Sequence, residues 1–425
     1  MNQSPYQTYV YSYPHKTAYR ELKPRSLSEV WADENKNALF LYIHIPFCEM
    51  RCGFCNLFTT VSHNDDFVSR YVAALQRQAN QVKAALGEVQ FARFALGGGT
   101  PTQLSIGHLE SVLNVAELMG AKLLEIPGSV EVSPETATIE KLKLLRDRGL
   151  DRISIGVQSF VDSEVLATQR RQTSDQVKAA LTRIREANFP TLNIDLIYGL
   201  PGQTVETWLQ SLKTALVFEP EEVYLYPLYV RPLTGLGISD REWDDIRLAC
   251  YRTGRDFLKA QGYTQVSMRM FRSNTAPESS APVYCCQADG MIGLGCGARS
   301  YTRSLHYSND YAVNSKEIKN IIEQYNSTED FNAVNYGFEL DLEEQKRRFI
   351  LISVLSEEGL NLENYCDRFH SEPLQDFPEL QEIIELGLVN NDWKLTELGL
   401  ERSDTFGSWL FSNTVRSNMS TYSLK

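Results

Sequence analysis

Long apolar runs are missing from this 425-residue sequence, and their absence excludes a class of protein. No stretch approaches the roughly 20 consecutive apolar residues that cross a bilayer, and residues 1–22 show no apolar core or cleavage-like site of a secretory signal. Basic clusters are also missing, and a net charge of −12 disfavours a nucleic-acid backbone as a partner. We therefore expect a cytoplasmic protein that binds neither nucleic acid nor a membrane.

Cysteine is scarce and unevenly distributed. Three of the eight cysteines, Cys48, Cys52 and Cys55, follow the apolar run LFLYIHI directly. In a cytoplasmic protein such a group serves metal or redox chemistry more often than disulfides. Structural zinc would need four ligands, usually in Cys-x2-Cys pairs; His44 could complete a set only from inside the strand. Buried core thiols are a second simple interpretation.

An iron–sulfur cluster fits the Cys-x3-Cys-x2-Cys spacing better than zinc does. Thiolates are the usual ligands of such clusters. Three thiolates on a four-iron cluster leave one iron open, and an open coordination position can bind a substrate or a cofactor. The missing fourth cysteine is therefore informative about function.

Strand-like and helix-like segments alternate from about residue 38 to residue 262. Six apolar runs, beginning with ALFLYIHIPF and ending with EEVYLYPLYV, are each followed by a segment with helical spacing. This alternation predicts a parallel sheet with right-handed crossovers, either doubly wound or curled into a barrel. The cysteines, GGGTP, SPE, QSF and YGLPGQT follow successive strands, at the rim where ligands bind to such sheets.

The pattern divides the chain into four parts. Residues 1–37 form an N-terminal arm, and residues 38–273 form the α/β part. Residues 274–335 form a glycine-rich loop and connecting segment. Residues 336–425 form a small C-terminal domain, where a helix, GLV, a short WKLT strand and a further helix resemble a winged helix.

Five ordered blocks resemble a known family. The cysteine motif, with Phe54 before its last cysteine, resembles the radical S-adenosylmethionine (SAM) superfamily. LYIHIPFC, GGGTPTQL, EVSPET, RISIGVQSF and NIDLIYGLPGQT resemble the oxygen-independent coproporphyrinogen III oxidase (HemN) family, with its heme-chaperone (HemW) and HemN-like methyltransferase relatives. The resemblance implies an α/β fold, a partial (β/α)6 TIM-like barrel with a HemN-type C-terminal domain.

The resemblance also implies a mechanism. A 4Fe–4S cluster would cleave SAM reductively to a 5′-deoxyadenosyl radical, which abstracts hydrogen from a porphyrinogen-like or other organic substrate. Cys48, Cys52 and Cys55 would bind the cluster, and an electron donor such as flavodoxin or ferredoxin would reduce it. Tyr42 and Phe54 would line the adenine side. The other residues expected to bind SAM are Gly98, Gly99, Thr100, Glu131, Gln158, Arg170 and Asp195. Arg170 suits the SAM carboxylate, with Arg171 as the alternative.

Departures from the family pattern leave the reaction open. HemN-type oxidases carry a further cysteine where this chain has Leu57, and the heme-chaperone branch has a His-Asn…Tyr-Trp motif where this chain has YCCQADGM. We keep three alternatives: porphyrinogen oxidation, C-methyl transfer with two SAM molecules, and heme binding as a chaperone. Candidate substrate contacts are Tyr13, Arg231 and Arg299, although the arm that carries Tyr13 could simply seal the barrel. Cys285 or Cys286 could donate hydrogen or an electron.

Overall fold

The structure is a computed structural model that describes residues 5–6, 12–230, 234, 236, 245–277 and 285–423. The candidate substrate residue Arg231 lies outside the described residues. The strands, in chain order, are β1 Arg20–Ser26, β2 Leu39–Ile45, β3 Phe47–Cys48, β4 Thr60–Val61, β5 Phe91–Gly98, β6 Gly128–Val132, β7 Arg152–Gln158, β8 Thr191–Tyr198, β9 Glu222–Pro227, β10 Tyr263–Gln265, β11 Met270–Ser273, β12 Met291–Leu294, β13 Arg299–Tyr301, β14 Leu305–Ser308 and β15 Ala333–Glu339.

Helices cover the sheet and build the C-terminal domain. They are α1 Leu27–Val30, α2 Asp65–Leu86, α3 Ile106–Met119, α4 Ile139–Asp147, α5 Asp162–Ala167, α6 Ser174–Glu186, α7 Val205–Leu216, α8 Arg247–Ala260, α9 Cys286–Asp289, α10 Ser315–Ser327, α11 Leu342–Val354, α12 Leu362–Phe369, α13 Pro373–Asp376, α14 Leu380–Glu385, α15 Glu397–Glu401, α16 Ser403–Trp409 and α17 Asn413–Thr421. Short 3-10 turns lie at Lys16–Ala18 and Pro101–Gln103.

One large sheet organises the described part of the chain. Its strand order is β1-β15-β14-β13-β12-β2-β5-β6-β7-β8-β9-β11-β10. The run from β2 through β5, β6, β7 and β8 to β9 is parallel throughout. Helical crossovers join these six strands, as the alternating sequence pattern predicts.

The two faces of the parallel strands differ because successive side chains of a strand point to opposite sides. One face packs under the helices and is apolar. Its members are at most 1 % exposed: Leu41, Ile43, Leu96, Val130, Ile153, Ile155, Leu192, Ile194, Val223 and Leu225. The other face lines the barrel interior and carries polar side chains. Glu131 lies beside Ser154, and Asp195 lies between Gly156 and Tyr224.

The sheet extends beyond the six predicted barrel strands at both edges. β12 runs parallel to β2, with Met291 beside Phe40, and β13, β14, β15 and β1 continue in antiparallel order. Part of residues 274–335 therefore belongs to the sheet. At the other edge, TQVSMRMFRS forms the hairpin β10–β11 against β9 rather than a single strand.

The C-terminal helices enclose a core of their own with part of the N-terminal arm. Tyr13, Ala18 and Tyr19 of the arm pack in this core. The predicted WKLT strand is reduced to an isolated bridge between Val389 and Leu395. The predicted α/β fold, a partial (β/α)6 barrel with a small helical C-terminal domain, is confirmed. Among the described residues, every helix is too short or too polar to cross a membrane.

Candidate functional site

The three-cysteine loop leaves the carboxyl end of β2. Cys48 belongs to β3, which pairs with β4, and the Cys55 N–H donates to the Cys52 carbonyl over 3.1 Å. All three thiols are half-buried and outside any disulfide. Burial, together with the neighbouring Cys55 thiol, raises the pKa of Cys48 to about 12. The Cys48 thiol is therefore neutral until a bound metal displaces its proton.

The donor set of this loop fits an iron–sulfur cluster better than a site completed by His44. The Nε2 atom of His44 lies 3.0 Å from the Phe58 carbonyl, and its Nδ1 atom lies 3.1 Å from the Tyr42 hydroxyl. Burial lowers the pKa of His44 to about 4. Among the described residues, no three His, Cys, Asp or Glu side chains surround one point where a single ion could bind. In a four-iron cluster each cysteine binds its own iron, so the thiols need not converge on such a point.

The glycines at the end of β5 and directly after it lie against the cysteine loop. A Cβ on Gly99 would lie 2.6 Å from the Phe47 carbonyl oxygen and 2.8 Å from Cys48 Sγ. Gly98 has a φ of 121°, a conformation that only glycine adopts readily. The Thr100 hydroxyl donates to Cys48 Sγ over 3.8 Å. This stretch therefore needs glycine in order to approach the cysteine loop, whatever else it binds.

Arg170 connects the rim of β7 to the cysteine loop. Its Nη1 atom donates to Cys52 Sγ over 3.5 Å, and its Nη2 atom donates to the Gly156 carbonyl over 2.7 Å. Burial raises the pKa of Cys52, and the guanidinium partly offsets this rise. The neighbouring Arg171 side chain is exposed. Of the two arginines, Arg170 is therefore the one beside the thiols.

Gln158 ends β7 in a strained conformation. It is 8 % exposed and has a φ of 70°, which is uncommon for a residue with a side chain. The pairing of β7 with β8 is irregular between Gly156 and Gln158. Such strain persists only where surrounding contacts impose it, and it is frequent at binding sites.

Glu131 and Asp195 are two acids on the inner face of the barrel, in the carboxyl-terminal halves of β6 and β8. Glu131 accepts a hydrogen bond from the Gly98 N–H over 3.0 Å. Asp195 accepts from the Ser154 hydroxyl (3.2 Å) and from the Asn193 amide (2.8 Å). Burial raises the pKa of Glu131 to about 7 and the pKa of Asp195 to about 6.

The surroundings of these two acids suit a cationic ligand. Ion pairs of the described residues involve Arg152, Arg272 and Glu222 deeper in the barrel, but neither of the two acids. Glu131 is nevertheless accessible to solvent, so it borders open space inside the barrel. A cation bound there would relieve the cost of ionising both groups.

The two predicted aromatic residues lie on different parts of the barrel. Tyr42 is on β2, beside His44 and Gly97. Phe54 packs with Ile197 and Leu200 at the end of β8 in a small apolar cluster. Three strands separate β2, which carries Tyr42, from β8, against whose end Phe54 packs. That both rings line the adenine side stays a prediction. Phe54 is the one with an apolar surface that suits a flat ring.

Two candidate substrate residues have different surroundings. Tyr13 is 1 % exposed; its hydroxyl donates to Glu344 and its ring packs on Phe411. The burial of Tyr13 favours an arm that seals the barrel over direct substrate contact. Arg299 is half-buried, its Nη1 atom donates to the Ser12 hydroxyl over 3.2 Å, and its charge acts on Tyr42. Arg299 therefore lies at the edge of the barrel interior.

Cys285 and Cys286 lie toward the amino end of β2, opposite to the end that leads into the cysteine loop. They precede β12, which begins beside Phe40 near the amino end of β2. The three-cysteine loop follows the carboxyl end of the same strand, and a seven-residue strand spans roughly 20 Å. Burial raises the pKa of Cys286 to about 12. Both thiols therefore lie away from the cysteine loop, and a role for either one as a donor of hydrogen or of an electron stays a prediction.

The sequence interpretation missed an ion-paired group on the inner face of the barrel. Arg152 contacts Glu222 at 2.7 Å, and Arg272 contacts the other oxygen of Glu222 at 2.8 Å. Arg152 also lies over the ring of Tyr224, 5.8 Å from its centroid. The sequence does contain a signal, because Arg152 and Glu222 each begin a strand segment, RISI and EVYLY, in which polar or aromatic residues alternate with aliphatic ones. Only the sheet register shows that the charges meet.

Comparison with known proteins places these residues in context. Residues 42–215 match the family described as the Radical SAM superfamily. The chain is 28% identical over 386 residues to the heme chaperone HemW of Bacillus subtilis, covering 87% of this chain and 98% of the relative. It is 30% identical over 276 residues to the heme chaperone HemW of Lactococcus lactis, covering 63% and 71% respectively.

Oxidases match over a similar extent. The oxygen-independent coproporphyrinogen III oxidase of Escherichia coli is 27% identical over 420 residues, covering 91% of this chain and 89% of the relative. The solved structure of Escherichia coli HemN, a radical SAM coproporphyrinogen III oxidase, superposes with a TM-score of 0.79 at 24% identity and covers 98% of both chains. This structural likeness extends from the arm to the C-terminal domain.

Proposed function

We propose a function from the premise that this chain belongs to the radical SAM superfamily, in the family that contains HemN and HemW. The proposal is that the protein is an enzyme in which a 4Fe–4S cluster and SAM act on an organic substrate. When bound and reduced, the cluster supplies the electron that cleaves SAM to methionine and a 5′-deoxyadenosyl radical, which abstracts hydrogen.

One observation carries this proposal. Three thiols lie on the rim of the barrel, and one of them, Cys52, contacts Arg170. The barrel interior below them holds Glu131 and Asp195 without an ion-pair partner among the described residues. A ligand with a carboxylate at one end and cationic groups along its length suits this distribution of charge. SAM has that chemistry, because it carries a methionyl carboxylate, an ammonium group and a sulfonium.

Each residue has a role that follows from its chemistry. The three cysteines would hold the cluster as thiolates, and Arg170 would bind the methionyl carboxylate with its planar, two-pronged guanidinium. Glu131 and Asp195 would accept hydrogen bonds from the amine and the ribose. Phe54, in its apolar cluster, would pack against the adenine.

The substrate class is proposed from the relatives. A porphyrinogen or a similar organic molecule would lie in the barrel interior, covered by the N-terminal arm and the C-terminal domain. The oxidase reaction is one chemistry, and methyl transfer with a second SAM molecule is another. Leu57 stands where the oxidases carry a further cysteine and is 50% exposed, so this chain lacks that thiol beside Cys55.

Anaerobic reconstitution with iron and sulfide, followed by SAM and dithionite, tests the proposal. We expect 5′-deoxyadenosine as a product by mass spectrometry. S-Adenosylhomocysteine beside it would indicate methyl transfer, and carbon dioxide from coproporphyrinogen III would indicate decarboxylation. Cys52→Ala should lose both cluster and cleavage, whereas Cys366→Ala, at a half-buried thiol of α12, should retain both. Cleavage by the Cys52→Ala variant would refute the ligand assignment.

A second candidate function is heme binding, which the match to nearly the whole of HemW favours. This candidate predicts stoichiometric heme uptake by the cluster-containing protein and little SAM cleavage. Anaerobic heme titration, followed by absorbance near the Soret band, separates the two. Unbound heme at every ratio would eliminate the chaperone candidate.

A further inference from the structure

A buried carboxylate lies behind the rim that carries the candidate cofactor residues. Glu164, on α5, is 2% exposed. Its Oε2 atom accepts hydrogen bonds from the Ser159 hydroxyl (2.6 Å) and from the Gln203 amide (3.0 Å). Its Oε1 atom accepts from the Thr207 hydroxyl at 2.5 Å. Three donors from three separate segments thus converge on one side chain.

The first segment is the loop that follows β8. Gln203 accepts hydrogen bonds from the N–H groups of Gly199 (2.7 Å) and Leu200 (3.3 Å) through its Oε1 atom. The Nε2 atom of the same amide donates to the carboxylate of Glu164. The conformation of the YGLPGQT loop, and with it the apolar cluster around Phe54, therefore depends on Glu164.

The second segment is the turn that follows β7. Ser159 comes directly after Gln158, the residue with the positive φ. The Ser159 hydroxyl donates to Glu164 while it accepts from the Val161 N–H over 3.0 Å. These two bonds fix the peptide that leaves Gln158, and they help to maintain its strained conformation.

The third donor, Thr207, lies in the first turn of α7. Glu164 itself lies on α5, and this helix leads to the cysteine loop. Three residues after the helix, Arg170 reaches Cys52, and the Thr168 carbonyl accepts from the Gly53 N–H over 2.7 Å. A displacement of α5 would therefore move Arg170 and the loop that carries the thiols together.

Glu164 is held by hydrogen bonds from neutral groups. Within the described residues its donors are all neutral, and no ion pair involves it. Burying a carboxylate without a cation costs folding free energy. In other proteins, replacing buried charged groups with apolar side chains of similar size is often neutral for stability. What these bonds do is hold the donors Ser159, Gln203 and Thr207 against α5.

We propose that Glu164 is a positioning residue for the cofactor-binding rim. Its hydrogen bonds hold Gln158, the YGLPGQT loop and Arg170 in the positions that bind SAM, and Glu164 itself does not contact SAM. This inference rests on the proposed function.

SAM binding to the reconstituted protein tests the inference independently of turnover. In Glu164→Gln we expect a normal iron content and a dissociation constant for SAM raised about tenfold, the effect of one hydrogen bond to a charged group. The change that SAM produces in the electron paramagnetic resonance spectrum of the reduced cluster should need correspondingly more SAM. Ser159→Ala, which removes one neutral donor, should shift the dissociation constant in the same direction by a smaller factor.

Glu344→Gln is the matched control. Glu344 is also a buried carboxylate held by two hydroxyl groups, those of Tyr13 and Ser412, but it lies in the C-terminal domain. Its variant should lower the melting temperature and leave SAM binding unchanged. The inference is overturned if Glu164→Gln and Ser159→Ala lower the melting temperature while both dissociation constants stay at the value of the unsubstituted protein. Failure of the unsubstituted protein to bind SAM would instead overturn the proposed function.

Discussion

Gly99→Ala is the sharpest test of how the cysteine loop is held. The backbone of Gly99 donates to the Ile45 carbonyl over 2.7 Å, so this residue cannot move away from β2 without losing a hydrogen bond. An added Cβ would lie 2.6 Å from the Phe47 oxygen and 2.8 Å from Cys48 Sγ, whereas ordinary contacts begin at 3.4 Å. The methyl group must therefore push the strand that carries the first thiol.

The size of the effect follows from this overlap. Metal ligands tolerate displacements of about 0.2 Å, and the thiol would have to move from 2.8 Å to 3.4 Å or beyond. Overpacking of this kind costs roughly 1–3 kcal/mol, which corresponds to a loss of roughly 5- to 160-fold in cluster affinity. The global fold should survive, because Gly99 lies on the rim and not in the core.

Iron and acid-labile sulfide per chain, after anaerobic reconstitution, measure the outcome. We expect Gly99→Ala to hold substantially less iron than the unsubstituted protein, at a similar far-ultraviolet circular dichroism. Gly107→Ala is the control, because an added Cβ there meets no atom within 4 Å in the first turn of α3 and should be neutral or stabilising by about 0.5–1 kcal/mol. A full complement of iron in Gly99→Ala would refute the argument that a side chain at position 99 displaces the cysteine loop.

Three further predictions concern charge. The pKa of Glu131 in the folded protein is raised from 4.5 to about 7, so the folded protein binds more protons than the unfolded chain between these two pH values. The free energy of unfolding should therefore fall as the pH rises from 4.5 to about 7. Chemical denaturation at several pH values should show a smaller fall for Glu131→Gln. Asp404→Asn should cost about 3–5 kcal/mol in chemical denaturation, because Arg269, at 2.5 Å, is left buried without its carboxylate; a loss under 1 kcal/mol would contradict it. Arg170→Lys should weaken SAM binding in equilibrium dialysis by about tenfold, because an ammonium group cannot replace the two parallel hydrogen bonds of a guanidinium to a carboxylate. The control variant Arg171→Lys should bind SAM as the unsubstituted protein does.

The sequence is sufficient to predict the parallel strands because their burial is local. In TLNIDLIYGLP, the residues Leu192, Ile194 and Leu196 are all fully buried, and the strand runs from Thr191 to Tyr198. An apolar run bounded by Pro190 and Gly199 identifies such a strand without knowledge of its neighbours. The rim position of the cysteine loop follows from the same reasoning, because the carboxyl ends of parallel strands share one edge.

A local sequence pattern does not predict which distant segments pair in a sheet. Met291–Leu294 is a four-residue apolar segment between glycines, and the sequence favours a loop there. It becomes a strand because β2 offers an unpaired edge, with Leu294 beside Ile43. That pairing also decides where Cys285 and Cys286 lie, and their distance from the cysteine loop was therefore inaccessible to a local interpretation.

The choice between Arg170 and Arg171 illustrates the same limit at the scale of one residue. Both arginines have the same chemistry, and the TQRRQT segment gives no period that assigns one of them to the interior. The Thr168 carbonyl decides between them by accepting the Gly53 N–H, which fixes the chain direction so that Arg170 reaches Cys52 and Arg171 faces solvent. A glycine at position 53 permits this contact, since a Cβ there would lie 2.9 Å from the same carbonyl. The glycine between the second and third cysteines thus selects which arginine can serve the site, and Gly53→Ala should weaken cluster and SAM binding together, whereas Arg170→Lys should weaken SAM binding alone.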